Sequence, residues 1–299
     1  MSWPTFVILG APRAGTTALY AALRQHPQIY MSAVKEPNFF AYGEMTTLPF
    51  QGPATALMAG RIVNTRAAYE ALWGASHSAL AIGEASMTNF MPRACERIRH
   101  YAPDAKLIAI LRQPAERAYS QFINARRAGW EPLADFEAAL AAEPLRLAQG
   151  WIPYLCYKYR GYYAARLAPY FAAFPREQIR IYRYEAWRTT PQTVLQDLFA
   201  FLGVDATFMP VVNPRLNAGQ LPRPWLQTLV RQFRRCKPWL ARWTPQAWQS
   251  AMGQRLARRT LASPPPLSGA LHRQLMDAYR TDIERLQVLL DQDFSDWLA

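Results

Sequence analysis

An α/β fold, with a central, mainly parallel sheet between layers of helices, is what this chain predicts, and three observations predict it. Short apolar runs at 5–9, 80–84, 106–111 and 178–182 alternate with longer helix-compatible stretches, the pattern of strands joined by crossover helices. The first of these runs passes through a glycine-bounded turn directly into a helix start. The 299 residues are 51% hydrophobic and 18% charged, which supplies apolar material for one core, so residues 1–299 read as a single domain.

The first strand and its turn carry the most chemistry. The spacing Gly10-xxxx-Gly15-Thr16-Thr17 is that of a phosphate-binding loop of the P-loop type. In such a loop, backbone N–H groups over Ala14, Gly15, Thr16, Thr17 and Ala18 and the helix N-terminus hold an anion. Nucleotide triphosphatases place a lysine where this chain has Thr16, and here the cation has moved to Arg13. That lysine offsets charge on terminal phosphates while the neighbouring hydroxyl holds magnesium. A sulfuryl group linked to a phosphate carries less charge, so dipoles, two hydroxyls and one guanidinium suffice for it without a metal. The competing reading is a bare tight turn. The strand before it and the helix-compatible Ala18–Gln25 after it favour the anion cradle.

The run Lys106–Leu111 reads as a buried strand. Arg112-Gln-Pro-Ala-Glu-Arg-Ala-Tyr-Ser120 turns from it into a helix with Pro114 in the first turn. Open parallel sheets bind ligands at the carboxyl ends of their strands, where Arg112 stands, and Ser120 adds a hydroxyl to the same anion. Two anion sites imply a ligand with two anionic ends.

With these two segments in hand, the chain resembles the sulfotransferases that use 3'-phosphoadenosine 5'-phosphosulfate, in particular their bacterial and Golgi carbohydrate or protein branch. The shared motifs are Gly10-Ala-Pro-Arg13-Ala-Gly15-Thr16-Thr17-Ala-Leu and Leu111-Arg112-Gln-Pro-Ala-Glu-Arg-Ala-Tyr-Ser120. The resemblance implies that Arg13, Gly15, Thr16 and Thr17 bind the 5'-phosphosulfate, and that Arg112 and Ser120 bind the 3'-phosphate. It extends to Lys35-Glu36-Pro-Asn-Phe39-Phe40, similar to a run in which the glutamate deprotonates the acceptor. Glu36 is therefore the candidate base, with Arg13 stabilising charge on the departing oxygen. Lys35 and Phe39 are candidate acceptor contacts. A solvated Lys35–Glu36 pair is the alternative.

Further segments extend the resemblance and limit it. Gly83-Glu84-Ala85-Ser86 is similar to a family segment in which lysine often stands where this chain has Ala85, which argues against a heparan-like acceptor; Glu84 orients Arg13 or the acceptor, or satisfies local N–H groups. Arg160-Gly161-Tyr162-Tyr163 is similar to a segment near the nucleotide, making Tyr162 or Tyr163 a cofactor neighbour, with core packing the role of one of them. Arg223, between Pro222 and Pro224, resembles a segment that reaches the donor. Phe199–Val204 reads as a helix end with a glycine stop, and Tyr279–Leu290 as the closing helix.

His26, His77, His100 and His272 lack the local setting of a catalytic base, and His26 reads as a helix terminus. Cys95, Cys156 and Cys236 form no paired or metal-binding pattern, so neither disulfides nor a zinc site is expected. The start shows no charged region leading into an apolar one, and no stretch approaches the ~20 apolar residues of a membrane span. A cytoplasmic, bacterial-type enzyme is the expectation. The net charge of +13 is concentrated in residues 206–276, which hold eleven lysines and arginines and no Asp or Glu. Interleaved with Trp225, Trp239, Trp243 and Trp248, they read as a basic helical C-terminal cap over about 206–265. The alternatives are a surface for anionic lipid, meaning peripheral membrane contact, and a nucleic-acid patch, which the ordered anion cradle disfavours.

The expected function is metal-free, in-line transfer of a sulfuryl group from 3'-phosphoadenosine 5'-phosphosulfate to an acceptor hydroxyl, less readily an amine. The acceptor is a small molecule, lipid, saccharide or carrier-bound group. The competing readings are a P-loop nucleotide-dependent kinase and a non-catalytic basic membrane- or nucleic-acid-binding protein.

Overall fold

A computed structural model of the protein describes residues 3–53, 55–76, 78–212, 221–222, 261–262 and 264–298. Strand β1 (Phe6–Gly10) leads into helix α1 (Thr16–Leu23), the edge strand β2 (Ile29–Met31) and the short helices α2 (Phe39–Tyr42), α3 (Thr55–Ala59) and α4 (Arg66–Glu70). Then come β3 (Ala81–Ala85), α5 (Pro92–Tyr101), β4 (Lys106–Leu111) and the long α6 (Pro114–Ala128). Helices α7 (Phe136–Ala141), α8 (Glu143–Ala148) and α9 (Tyr163–Ala173) precede β5 (Ile179–Arg183), α10 (Tyr184–Thr189) and α11 (Pro191–Leu202). A helix over Gly269–Leu290 closes the chain.

The five strands form one parallel sheet in the order β2-β3-β1-β4-β5. All five β1 residues are buried, as a central strand covered on both faces requires. Phe6 lies opposite Gly83 on one side and Lys106 on the other. Gly83 is glycine for a packing reason: a Cβ there would run into the Phe6 ring.

The four expected strands form within a residue of their expected bounds. The fifth, β2, has only three residues, too few for a period to declare itself. Helix α4 runs directly into a 3-10 turn at Ala71–Trp73. The closing helix starts at Gly269, upstream of the expected Tyr279, because Ser268 accepts the Leu271 N–H at 3.3 Å and caps it there. Helix α11 stops at Gly203 in the left-handed conformation (φ 78°), as its sequence predicts.

His26 follows the end of α1, as its sequence predicts, with its backbone N–H donating to the Leu23 carbonyl at 3.1 Å. It is buried against Phe199 and Phe208, and its Nε2 lies 2.9 Å from the Asp205 carbonyl. Cys95 and Cys156 are buried and free. Among the described residues no helix is long and apolar enough to cross a membrane. Most of the basic segment expected as a cap, Arg223 and the four tryptophans included, lies outside the described residues. Its described parts include a two-stranded antiparallel pair, Leu221–Pro222 with Leu261–Ala262.

One buried ion pair shapes the ground beside the site. Arg146 and Glu131 meet at 2.7 Å, both almost fully buried, and the Tyr157 hydroxyl also donates to Glu131 at 2.6 Å. Satisfying every charge in this way is what makes such a pair tolerable away from water. It fixes the chain after α8 against α6, where Gln121 and Asn124 then hold Tyr154 through its carbonyl and its hydroxyl.

Candidate active site

Because the strands run parallel, their carboxyl ends all open onto one edge of the sheet, where ligands of such folds bind. A cleft of about 900 Å³ lies there. Arg13 follows β1, Glu36 follows β2, Met87 and Thr88 follow β3, Arg112 follows β4 and Tyr184 follows β5, and all six line it. Six arginines (13, 61, 112, 127, 160 and 188) and two glutamates (36 and 116) border the cleft, which makes it an anion site by charge alone.

The loop after β1 is built for close approach. Gly15 is left-handed (φ 91°), and a Cβ there would lie 2.7 Å from Trp187 Cδ1. Arg13 is also left-handed (φ 68°). Its Nε donates to the Ser120 hydroxyl at 3.2 Å and an Nη to Asn124 Oδ1 at 3.3 Å, both on α6. Burial lowers the Arg13 pKa from the ordinary guanidinium value, and Arg127 and Arg112 push the same way. A bound anion would offset that repulsion.

Arg112 and Arg13 share the cleft. Arg112 Nη1 donates to the Arg13 carbonyl at 3.4 Å, Nη2 pairs with Glu116 at 3.1 Å, and the guanidinium lies 5.0 Å from the centre of the Tyr184 ring. Gly15, Thr16, Thr17 and Ser120 line the same wall. As the first two residues of α1, Thr16 and Thr17 have amides that helix geometry leaves without an intrahelical partner.

The loop carrying Glu36 is held in an uncommon conformation by its neighbours. Glu36 (φ 64°) and Asn38 (φ 57°) are both left-handed. The Glu36 N–H donates to the Ala85 carbonyl at 3.0 Å, and the Asn38 N–H donates to the Ser86 hydroxyl at 3.1 Å. Asn38 Nδ2 donates to the Glu36 carbonyl, and Thr88 donates to Asn38 Oδ1 at 2.8 Å. The Glu36 carboxylate meets the Lys35 ammonium at 2.9 Å. The end of β3 thus sets where the carboxylate points.

Several expected site residues stand elsewhere. Glu84 is not at the acceptor: it is fully buried beneath the Glu36 loop, accepting from Ser86 and, at 2.7 Å, from Asn89 Nδ2. Burial pushes its carboxyl up to about 7, against those hydrogen bonds. Phe39 is a core residue, stacked on Tyr69 at 4.2 Å with the Arg97 guanidinium 4.7 Å from the centre of its ring. Tyr162 does not line the cleft and packs edge-on against Tyr279 at 5.0 Å. Lys35 is outside the lining and serves Glu36. Ala14 and Ala18 are buried, and their amides are already used by the Ala11 and Gly15 carbonyls, so the anion-facing stretch contracts to 15–17. Arg223 lies outside the described residues.

Sequence reasoning missed Arg160, Tyr154, Asn124, Arg127 and Tyr184, all of which line the cleft. Arg160 had a signal, because it opens the segment whose tyrosine drew attention instead. Tyr154 had none; it reaches the cleft only through the α6 contacts described above.

Comparison with known proteins places this geometry. A model described as "Sulfotransferase family" matches residues 4–208. Carbohydrate sulfotransferase 15 of Mus musculus is 26% identical over 249 residues, covering 67% of this chain and 44% of that protein. Bifunctional heparan sulfate N-deacetylase/N-sulfotransferase 3 of Homo sapiens is 28% identical over 211 residues, covering 67% and 22%. The chain therefore spans less than half the length of these relatives. The crystal structure of a sulfotransferase from Alicyclobacillus acidocaldarius superposes with a TM-score of 0.77 at 27% identity, covering 100% of both chains.

Proposed function

The chain belongs to the sulfotransferase family, and from that premise we propose that it transfers a sulfuryl group from 3'-phosphoadenosine 5'-phosphosulfate to an acceptor hydroxyl. One observation carries the donor half of this reading: Arg13 and Arg112, at the ends of adjacent strands, line one cleft and touch at 3.4 Å. A donor with phosphosulfate at one end and a 3'-phosphate at the other fits that pair. The residues present suit it, since Gly15 lets the loop keep its left-handed turn against Trp187, the start of α1 offers amides, and Arg112 with Ser120 offers a second grip.

The donor supplies the electrophilic sulfur. Glu36 takes the acceptor hydroxyl's proton as the oxygen attacks in line, so that a sulfate ester and 3'-phosphoadenosine 5'-phosphate result. Arg13 and the α1 amides stabilise the charge left on the departing phosphate oxygen. Lys35, paired with Glu36, keeps the carboxylate oriented. A saccharide or small-molecule hydroxyl is the acceptor this cleft favours, with Tyr42, Trp130, Ile152 and Tyr154 offering flat and apolar surface for a ring.

Calorimetry with 3'-phosphoadenosine 5'-phosphate (PAP) and 5'-AMP tests the donor assignment. PAP is expected to bind at least about tenfold more tightly, a difference of about 1.4 kcal/mol, and Arg112→Ala to erase most of that preference. Equal affinities in the native chain would remove Arg112 from the 3'-phosphate. Incubating donor and enzyme with host metabolites, followed by mass spectrometry for a sulfate-sized gain, then identifies the acceptor.

A further inference from the structure

Of the four cleft arginines that the donor grips leave out (61, 127, 160 and 188), Arg160 is the buried one. It is 5% exposed, yet it lines the cleft. Its Nη2 donates to the Met87 carbonyl at 2.7 Å, and no carboxylate among the described residues pairs with it. The undescribed stretches 213–220 and 223–260 cannot supply one, because residues 206–276 contain no Asp or Glu. Arg166 and Arg117 stand close enough that their repulsion, added to burial, lowers the Arg160 pKa to about 10. A buried guanidinium with like charges around it and no counter-ion is costly unless something charged completes it.

Its position says which ligand does so. The two donor grips lie at the ends of β1 and β4, whereas Arg160 is tied to Met87, just past the end of β3. Thr88, next to Met87, holds the Asn38 side chain that braces Glu36. Arg160 and Tyr154 line the same cleft as Arg13 and Glu36, and the bond to Met87 sets Arg160 on the β3 side, next to the residues that brace Glu36.

We infer that Arg160 is an anion subsite for the acceptor: the molecule sulfated here carries its own oxyanion, a carboxylate or a sulfate ester, which Arg160 holds while the hydroxyl lies against Glu36. This inference rests on the sulfotransferase reading above. A planar guanidinium with one edge free of the Met87 carbonyl is suited to such an oxyanion, by two parallel N–H···O bonds. Arg160 is then a specificity residue. It selects acidic acceptors over neutral ones of the same shape, because a neutral ligand leaves the buried charge uncompensated.

The test is calorimetry on the PAP-saturated chain with three probes of one shape: benzoate, phenyl sulfate and benzamide. Millimolar binding of benzoate or phenyl sulfate is expected, with benzamide at least about tenfold weaker. The stronger of the two anions tells whether a carboxylate or a sulfate ester is the natural group. Arg160→Gln is expected to abolish the anion preference with PAP affinity unchanged, and Arg160→Lys to keep part of it. Because Arg160→Gln risks misfolding, the native comparison and the lysine variant decide the matter if its thermal transition is lost. Benzamide binding as well as benzoate, no binding of either anion, a preference that survives Arg160→Gln, or a loss of PAP affinity in that variant would each overturn the inference. A native chain that does not bind PAP defeats the donor reading instead, and is recognised before any probe is added.

Discussion

The Asn38 backbone N–H donates to the Ser86 hydroxyl at 3.1 Å, and through that bond the end of β3 holds the loop that carries Glu36. Ser86 also donates to the buried Glu84. One hydroxyl thus joins the base loop to a carboxyl in the core.

Ser86→Ala removes both bonds at once. Leaving buried polar partners unmet costs about 1–3 kcal/mol, so the denaturant midpoint should fall accordingly. Turnover should fall as well, with PAP affinity retained, because the donor grips lie on other strands. A variant that loses stability alone would show that Ser86 does not position Glu36.

Glu84 gives the protein a pH signature. Its folded pKa is raised to about 7 from an ordinary 4.5, chiefly by burial. The folded state therefore holds a proton that the unfolded chain releases between those values. The stability from this group is fully present below about 4.5 and is lost as pH rises through about 7. Unfolding free energy measured across that window should decline with pH, and Glu84→Gln, which carries no titrating proton, should flatten the decline. An unchanged slope in the variant would assign the effect to another group.

Glu36→Gln should keep PAP binding and lose turnover by about 10²- to 10⁴-fold, the usual loss on removing a general base. Single-turnover assays with the acceptor found by mass spectrometry make the measurement. Full activity would mean that another group takes the proton, and Glu84, sealed beneath the loop, is badly placed to do so.

Gly15→Ala should cost about 1–3 kcal/mol, because the residue sits in the left-handed region where a Cβ is strained. The added Cβ would also meet Trp187 at 2.7 Å. Differential scanning calorimetry reads the first effect and PAP titration the second. A variant with native melting and native PAP affinity would show that the cradle does not depend on this glycine.

The parts of the site carried by local sequence were legible. The Gly10–Thr17 loop, Arg112 at its strand end and Glu36 sit where short motifs on strand ends had put them, and Arg13 and Arg112 share a cleft as two anion grips require. Glu84 and Phe39 misled for one reason: a motif gives position along the chain, while burial depends on which face of a strand or turn packs inward. Both are buried, and neither lines the cleft. Arg160, Tyr154 and Asn124 were silent because they arrive from distant segments, through contacts such as the Asn124–Tyr154 bond at 2.6 Å. The kinase alternative gives way to the family match, which fits the absent loop lysine.

The strand order β2-β3-β1-β4-β5 divides labour across the sheet. The two arginines proposed to grip the nucleotide stand at the ends of β1 and β4, while the loop that carries Glu36 and its braces hang from β2 and β3. Each task has its own pair of neighbouring strands, meeting only at the seam between β3 and β1. Loops on the β2–β3 half can therefore be rewritten to suit a new acceptor without loosening the hold on the donor, so swapping the segment 36–73 between relatives is a practical route to redirecting such an enzyme.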